Sequence, residues 1–197
     1  MGKWSTHNNA GRIPEHTEDR VLTFKTLDDK ARWLDASASL DALRQGVQVA
    51  AGRVTRETNP EMRARKLQRW VRDNIHYVAD YRVSTGQEGE ELADSETILR
   101  RGYDDCDGKS RLFVALVRAA EMLAPVGLAA RIRPVFKKHP LAFVHVQCEA
   151  IWHGSKALPY AEPPDGWVLV ELILRGCEMG QNPDDMPRGP HGERIIT

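Results

Sequence analysis

The sequence has few cysteines, no surplus of either charge and no long apolar run. Its three cysteines, Cys106, Cys148 and Cys177, are too scattered for a disulfide framework or a paired zinc site, which suits a reducing compartment. Lys plus Arg number 28 and Asp plus Glu number 28, so no global field draws the chain to nucleic acid or to an anionic membrane, and neither partner is expected. No stretch reaches membrane-spanning length and the N-terminus lacks the apolar core of a signal peptide. The expected location is therefore the cytoplasm. Asp104, Asp105, Cys106 and Asp107 form a dense group of ligand types. No His-x-x-x-His or Cys-x-x-Cys accompanies them, and neither a metal nor another cofactor is expected.

What is present suits one domain with extended ends. At 197 residues the chain can bury a real core. Residues 1–19 are polar and aperiodic, broken by Asn8-Asn9, Gly11 and Pro14, and are expected to be an N-terminal arm. Residues 20–182 are expected to form the domain, and 183–197 a Pro/Gly-rich tail. Such ends commonly order against a partner.

Inside the domain, Leu40, Leu43, Val47, Ala50, Ala51 and Val54 predict one amphipathic helix, with Ser39 as its cap. Asn59-Pro60 predicts a second start, with Leu67, Trp70, Val71 and Ile75 buried and a basic face at Arg63, Arg65, Lys66, Arg69 and Arg72. Such a face is usually a solvated helix surface rather than a nucleic-acid site. Residues 86–93 read as a loop, and Ser95 to Arg101 as a short helix stopped by Gly102. Leu112, Phe113, Leu116, Val117, Ala120 and Leu123 predict the strongest helix, running to about Ala124. After Gly127 the period changes to alternation. Leu141 to Trp152 reads as a strand with Val146, Cys148 and Ala150 on one side and Phe143, His145, Gln147 and Glu149 on the other. Trp167 to Leu174 reads as a second, apolar strand interrupted by Glu171, and Cys177 as a turn or surface residue.

The chemistry centres on Cys106, which stands where the strongest helix begins. The unpaired amides of a first helical turn favour a thiolate over a thiol. Asp104, Asp105 and Asp107 oppose that, so a positive partner from elsewhere is needed, most simply an imidazolium. His145 on the less apolar side of one strand can provide it. Glu171, a lone charge among apolar neighbours, should have a partner, be protonated or lie on an exposed edge. Nucleophile, base and orienting acid are the set that acyl transfer requires. The backbone N–H of Cys106 is a candidate oxyanion donor, and Tyr103 and Trp70 are candidates for a second oxyanion or substrate contact.

Arg101-Gly102-Tyr103-Asp104-Asp105-Cys106-Asp107-Gly108-Lys109-Ser110, a histidine in a following strand and an acid four residues after Trp167 resemble the transglutaminase-like cysteine peptidase family of the papain-like superfamily, in its bacterial and phage-encoded branch. The likeness extends to Trp70-Val71-Arg72-Asp73-Asn74-Ile75-His76-Tyr77 and Ser95-Glu96-Thr97-Ile98-Leu99-Arg100, and covers roughly Leu40 to Gly180. It implies an α+β, papain-like transglutaminase-core fold, with N-terminal helices and a cysteine-bearing helix packed on an antiparallel β-sheet, and a catalytic triad at Cys106, His145 and Glu171. The family usually has Asp in Asp-Pro-Thr where this chain has Glu171-Leu172-Ile173. Glutamate is one methylene longer, so its strand must sit farther back.

The resemblance implies a thiol-dependent hydrolase of peptide or other amide bonds, working through a thioester on a protein or peptide substrate. Two alternatives remain open: acyl transfer that cross-links a glutamine side chain to an amine, and a structural or adaptor role in a phage-like particle, with the arm and tail meeting virion proteins.

Overall fold

A computed structural model describes residues 21–22, 27–78, 90–135, 145–155, 166–174 and 176–181. The expected arm and tail lie outside these residues, apart from Val21–Leu22 just beyond the arm. That pair forms strand β1. Three helices follow: α1 (Leu27–Asp41), α2 (Gln45–Val54) and α3 (Pro60–Asn74). α3 begins where the sequence predicts, because Asn59 Oδ1 accepts the amide of Met62 at 3.0 Å and Pro60 takes the first turn. Next come β2 (His76–Tyr77), β3 (Glu90–Glu91), α4 (Ser95–Arg101), β4 (Tyr103–Asp104), α5 (Cys106–Leu123), β5 (Leu128–Val135), β6 (His145–Trp152) and β7 (Val168–Val170).

The core is built around α5. Eleven consecutive residues would be half-exposed on an ordinary surface helix, yet Asp107 to Val117 are all buried. α1, α2, α3 and α4 pack against α5, as do β5 and β6, and α1 also packs against β5. The sheet against it runs β5-β6-β7, antiparallel throughout, with Cys148 opposite Ile132 and Val170. Cys148, Ala150, Val168 and Val170 face the core. The fold is thus a mixed helix and sheet structure of the expected kind, a cysteine-bearing helix lying on an antiparallel sheet. No described helix is long and apolar enough to cross a membrane.

Buried ion pairs hold α5 in register. Asp41, the last residue of α1, is fully buried. Its carboxylate accepts Arg111 Nε at 2.7 Å and Nη2 at 3.0 Å, together with the amide and hydroxyl of Ser95 at 3.0 and 2.7 Å. One side chain therefore ties the end of α1 to the start of α4 and to α5. At the other end of α5, Arg63 Nη1 donates to the carbonyls of Ala120 and Ala124 and to Glu121 Oε1. A cation there complements the carbonyl end of the helix dipole.

Several expectations are corrected. The single helix predicted from Leu40 to Val54 is two, separated by a turn at 42–44, and Ser39 is no cap: it lies inside α1 with its hydroxyl on Asp35 O at 3.3 Å. The apolar spacing spans the break, but Leu40 and Leu43 are exposed, and the buried position required of Asp41 ends α1. Arg63 and Arg72, assigned to an exposed basic face, are buried as donors to backbone carbonyls, while Arg65 and Lys66 pair with Glu61 and Glu57 and Arg69 reaches Glu178. No continuous basic patch survives among them. Of the predicted 86–93 loop, Glu90 and Glu91 form β3, antiparallel to β1, and 86–89 lie outside the described residues. β6 begins at His145, with 141–144 outside the described residues. β7 is three residues long rather than eight, because Glu171 Oε1 accepts the amide of Ile173 at 2.8 Å and turns the chain. Leu123 is exposed, and Cys177, expected in a turn or at the surface, closes a turn with its amide on Leu174 O at 3.2 Å but is buried.

Asp41→Ala would strand the Arg111 guanidinium in the core and should cost about 3–5 kcal/mol. Removing Arg32 from its exposed pair with Asp29 should change stability by less than about 1 kcal/mol. Urea unfolding of the two variants checks both values.

Candidate active site

Cys106 is the first residue of α5 and is half-buried. The turn before it is set by the acids that the sequence shows as a charge cluster. Asp105 caps the helix, its Oδ1 accepting the amides of Asp107 at 2.9 Å and Gly108 at 3.1 Å. Asp107 forms a buried ion pair with Lys30, and its Oδ1 lies 3.6 Å from the Cys106 sulfur, which donates to it. Asp104 tucks beneath the helix. A Cβ on Gly108 would overlap its carboxylate, so the glycine is there for close approach. Arg101 Nη2 donates to Asp104 Oδ2 at 2.5 Å, and the Asp105 amide to Asp104 Oδ1 at 2.8 Å. Burial, and then the neighbouring charge of Asp105, push the Asp104 carboxyl up to about 6 despite Arg101.

The approach to Cys106 is fixed by a short parallel pairing. Gly102, at φ 73°, ends α4 in the left-handed conformation that favours glycine and lets the chain turn into β4. β4 then pairs with β2, Tyr77 opposite Asp104, with the Val78 amide on Asp104 O at 3.0 Å. This carries Tyr77 to the mouth of α5. Burial, and then the negative charges of Cys106, Asp105, Asp107 and Glu171, push its phenol up to about 12. Tyr77 therefore keeps its proton across the working pH range and remains a neutral O–H donor. Sequence reasoning missed it; the signal was an aromatic in the alternating Ile75-His76-Tyr77 that follows α3.

Glu171 follows the last residue of β7 and is 1 % exposed, which excludes the exposed-edge reading. The β6–β7 register, Cys148 opposite Val170, brings Gln147 opposite Glu171. Gln147 Nε2 donates to Glu171 Oε2 at 2.7 Å, and the Ile173 amide holds Oε1. α3 fastens the same segment from behind: Gln68 Nε2 donates to Glu171 O at 3.0 Å, and Arg72 Nη1 to Cys177 O at 2.9 Å. Gln147 is a second residue that sequence reasoning left without a role. It stands two positions after His145, the first residue of β6, whose backbone pairs with Val135. The side chain of His145 lies outside the described residues.

The remaining candidates fall elsewhere. Tyr103 is exposed on β4, with the Arg101 guanidinium 4.8 Å above its ring. Trp70, on α3, lines a separate groove with Val49, Ala50, Val54 and Leu99. Cys148 is fully enclosed, and burial pushes its thiol well above the usual range. Among the described residues no group of three or more His, Cys, Asp or Glu is arranged to hold a metal ion.

Residues 47–172 match the family model described as the Transglutaminase-like superfamily. The chain belongs to that superfamily. The matched span of this transglutaminase-like protein contains Tyr77, Cys106, Gln147 and Glu171. Two crystal structures are similar to it. One, a "putative protease" from Parabacteroides distasonis ATCC 8503, aligns with 76 % of this chain and 30 % of its own at 17 % identity and a TM-score of 0.49. The other, a "putative cysteine protease" from Cytophaga hutchinsonii, aligns with 70 % of this chain and 42 % of its own at 16 % identity and a TM-score of 0.46. The transglutaminase-like chain thus spans less than half the length of either. No protein of curated function matches it.

Asp104 yields a prediction with a definite sign. Its folded carboxyl, at about 6, lies above the ordinary 3.8, so the fold binds this proton more tightly than the unfolded chain does. Its contribution to stability grows as pH falls from above 6 to below 4. Asp104→Asn keeps an acceptor for Arg101 but cannot titrate. The difference in stability between variant and wild type, followed by urea unfolding from pH 7 to pH 4, should therefore shift in favour of the wild type at the acid end.

Proposed function

We propose that this protein is a thiol-dependent hydrolase of peptide or other amide bonds, with Cys106 as nucleophile, His145 as base and Glu171 as the acid that orients it. The observation that carries the reading is a buried carboxylate just after β7, which pairs with the strand that begins at His145, in a fold whose central helix opens on Cys106. Cys106 opens the helix, half-buried, while a buried carboxylate, Glu171, is held across from the strand that begins with His145. A carboxylate kept inside the protein by two donors and a backbone clamp is costly to retain without a task. Strand alternation assigns positions 145 and 147 to the same side of β6, and Gln147 already reaches Glu171.

In this reading the Cys106 thiolate attacks the amide carbonyl carbon. A C–S bond forms, and the carbonyl oxygen takes the negative charge. The imidazolium of His145 protonates the departing amine as the C–N bond breaks, leaving a thioester. Water, deprotonated by the same imidazole, then adds to the thioester carbonyl; the C–S bond breaks, releasing the acid and restoring the Cys106 thiolate beside the imidazolium. The helix-start amide of Cys106 and the Tyr77 hydroxyl are the donors we assign to the oxyanion. Three unbridged thiols suit a reducing compartment such as the cytoplasm.

Iodoacetamide at pH 7 should label Cys106 well ahead of the buried Cys148 and Cys177. His145→Ala should reduce that advantage at least about tenfold, since the ion pair that makes the thiolate is lost. Glu171→Gln should reduce it by less. Equal labelling of the three thiols would sink the proposal. Incubation with a glutamine-containing peptide library and a tagged amine then separates the chemistries by mass spectrometry: cleavage marks hydrolysis, and incorporated tag marks acyl transfer. An unreactive Cys106 with neither product marks a structural role, such as one in a phage-like particle.

A further inference from the structure

The Cys106 sulfur donates to Asp107 Oδ1 at 3.6 Å. A carboxylate in that place opposes a nucleophile in two ways: its hydrogen bond favours the protonated thiol, and its charge disfavours a thiolate. Asp107 is 3 % exposed, so water screens it little. Its Oδ2 instead forms an ion pair with Lys30 Nζ, and both side chains are more than nine-tenths enclosed. Lys30 stands in the first turn of α1, next to Asp28 and Asp29. The helix dipole disfavours a cation there, and a lysine is almost never buried unless it is paired. Two further pairs, Asp35 with Arg118 and the fully enclosed Asp41 with Arg111, fasten α1 to α5 without it. α1 also precedes residues 47–172, so Lys30 reaches the site from outside the span that matches the superfamily.

The other charged groups around the start of α5 have partners of their own. Asp105 caps the helix, and Asp104 bonds to Arg101. Lys109, further along α5, donates to the carbonyl of Ile75 at 2.6 Å. Tyr77, from β2, is neutral and feels the charges of Cys106, Asp105, Asp107 and Glu171. Gln147 and the Ile173 amide hold Glu171. Lys30 is the cation that meets the carboxylate on which the sulfur rests.

We infer that Lys30 is a positioning residue for the reaction proposed above: paired with Asp107, it cancels the charge of the carboxylate that accepts the Cys106 S–H, and so lets a thiolate form at the start of α5. The inference rests on the reading of Cys106 as nucleophile. The effect passes through the Lys30–Asp107 ion pair and the bond from Asp107 to the sulfur, and through no side chain of β6. It gives α1 a task beyond closing the core, and it explains how a thiol can be activated while bonded to an acid.

The test follows the rate of Cys106 alkylation by iodoacetamide against pH, whose midpoint reports the thiol's own titration. A wild type whose Cys106 labels no faster than Cys148 and Cys177 defeats the hydrolase reading itself. Given an activated wild-type thiol, Lys30→Met should raise the midpoint by about one pH unit, which slows labelling about tenfold on its acid side. Lys30→Arg, which keeps the charge, should stay near the wild-type midpoint. Lys30→Met/Asp107→Asn, which removes both charges, should return to within about 0.3 units of it. A loosened α1 would change labelling at every pH without moving the midpoint. An unmoved midpoint in Lys30→Met, or a double variant whose midpoint stays as high, therefore overturns the inference and leaves the pair a fastening of α1. Should the lone buried carboxylate of Lys30→Met prevent folding, Asp107→Asn and the double variant carry the test. The first should fall below the wild-type midpoint, since the sulfur loses the acid and keeps the cation, and the second should rise back toward it; equal midpoints in the two overturn the inference.

Discussion

The buried pair of Asp41 and Arg111 is the constraint on which the rest depends. Two charges with no solvent exposure are tolerable only when each meets the other and their remaining hydrogen-bonding atoms are filled. Asp41 fills its oxygens with Arg111 and with the amide and hydroxyl of Ser95, and Arg111 adds the carbonyl of Ala93 at 2.9 Å and stacks over Trp33 at 5.4 Å. Satisfying one carboxylate therefore fixes where α1 ends, where α4 begins and how α5 is rotated about its axis. Cys106 lies five residues before Arg111 on the same helix. Its place at the rim of the core follows from that rotation.

The same economy recurs at the other polar groups inside the protein. Arg63 fills the carbonyl end of α5, Glu121 Oε2 takes the amides of Val126, Gly127 and Leu128 in the turn that follows, and Asp35 joins α1 to α5 and β5 through Arg118 and the Ile132 amide. Each places a charge where a helix end or a turn would otherwise leave backbone groups unpaired. The same holds at the helix start where Cys106 stands. Around that start, Asp105 caps, Asp107 is neutralised by Lys30 and Asp104 is pressed toward its neutral form. The acids that appear to oppose a thiolate are largely occupied elsewhere.

Much of this was legible in the chain. The start of α3 at Asn59-Pro60, the stop at Gly102, the long buried helix after Cys106 and the alternation around Cys148 were all readable, because caps, positive-φ glycines and apolar periods are local signals. The break between α1 and α2 was not, since apolar spacing continues across it and only the distant Arg111 requires it. Arg63 and Arg72 read as surface for a similar reason: a helical arginine and its carbonyl partners fifty or a hundred residues away share no local pattern. Tyr77 and Gln147 were hidden because each gains its meaning from a neighbour in another element.

By itself the sequence determined the family, the mixed architecture, the cysteine at a helix start and the presence of an out-of-place acid at 171. Those features depend on residue type and on periods of two or 3.6, which every chain displays in one dimension. Only the tertiary structure decided that Glu171 is enclosed rather than at an exposed edge, and that Gln147 and the Ile173 amide hold its oxygens. The physical reason is that the cost of a buried charge depends on which groups surround it in space, and strand register and helix rotation choose those groups.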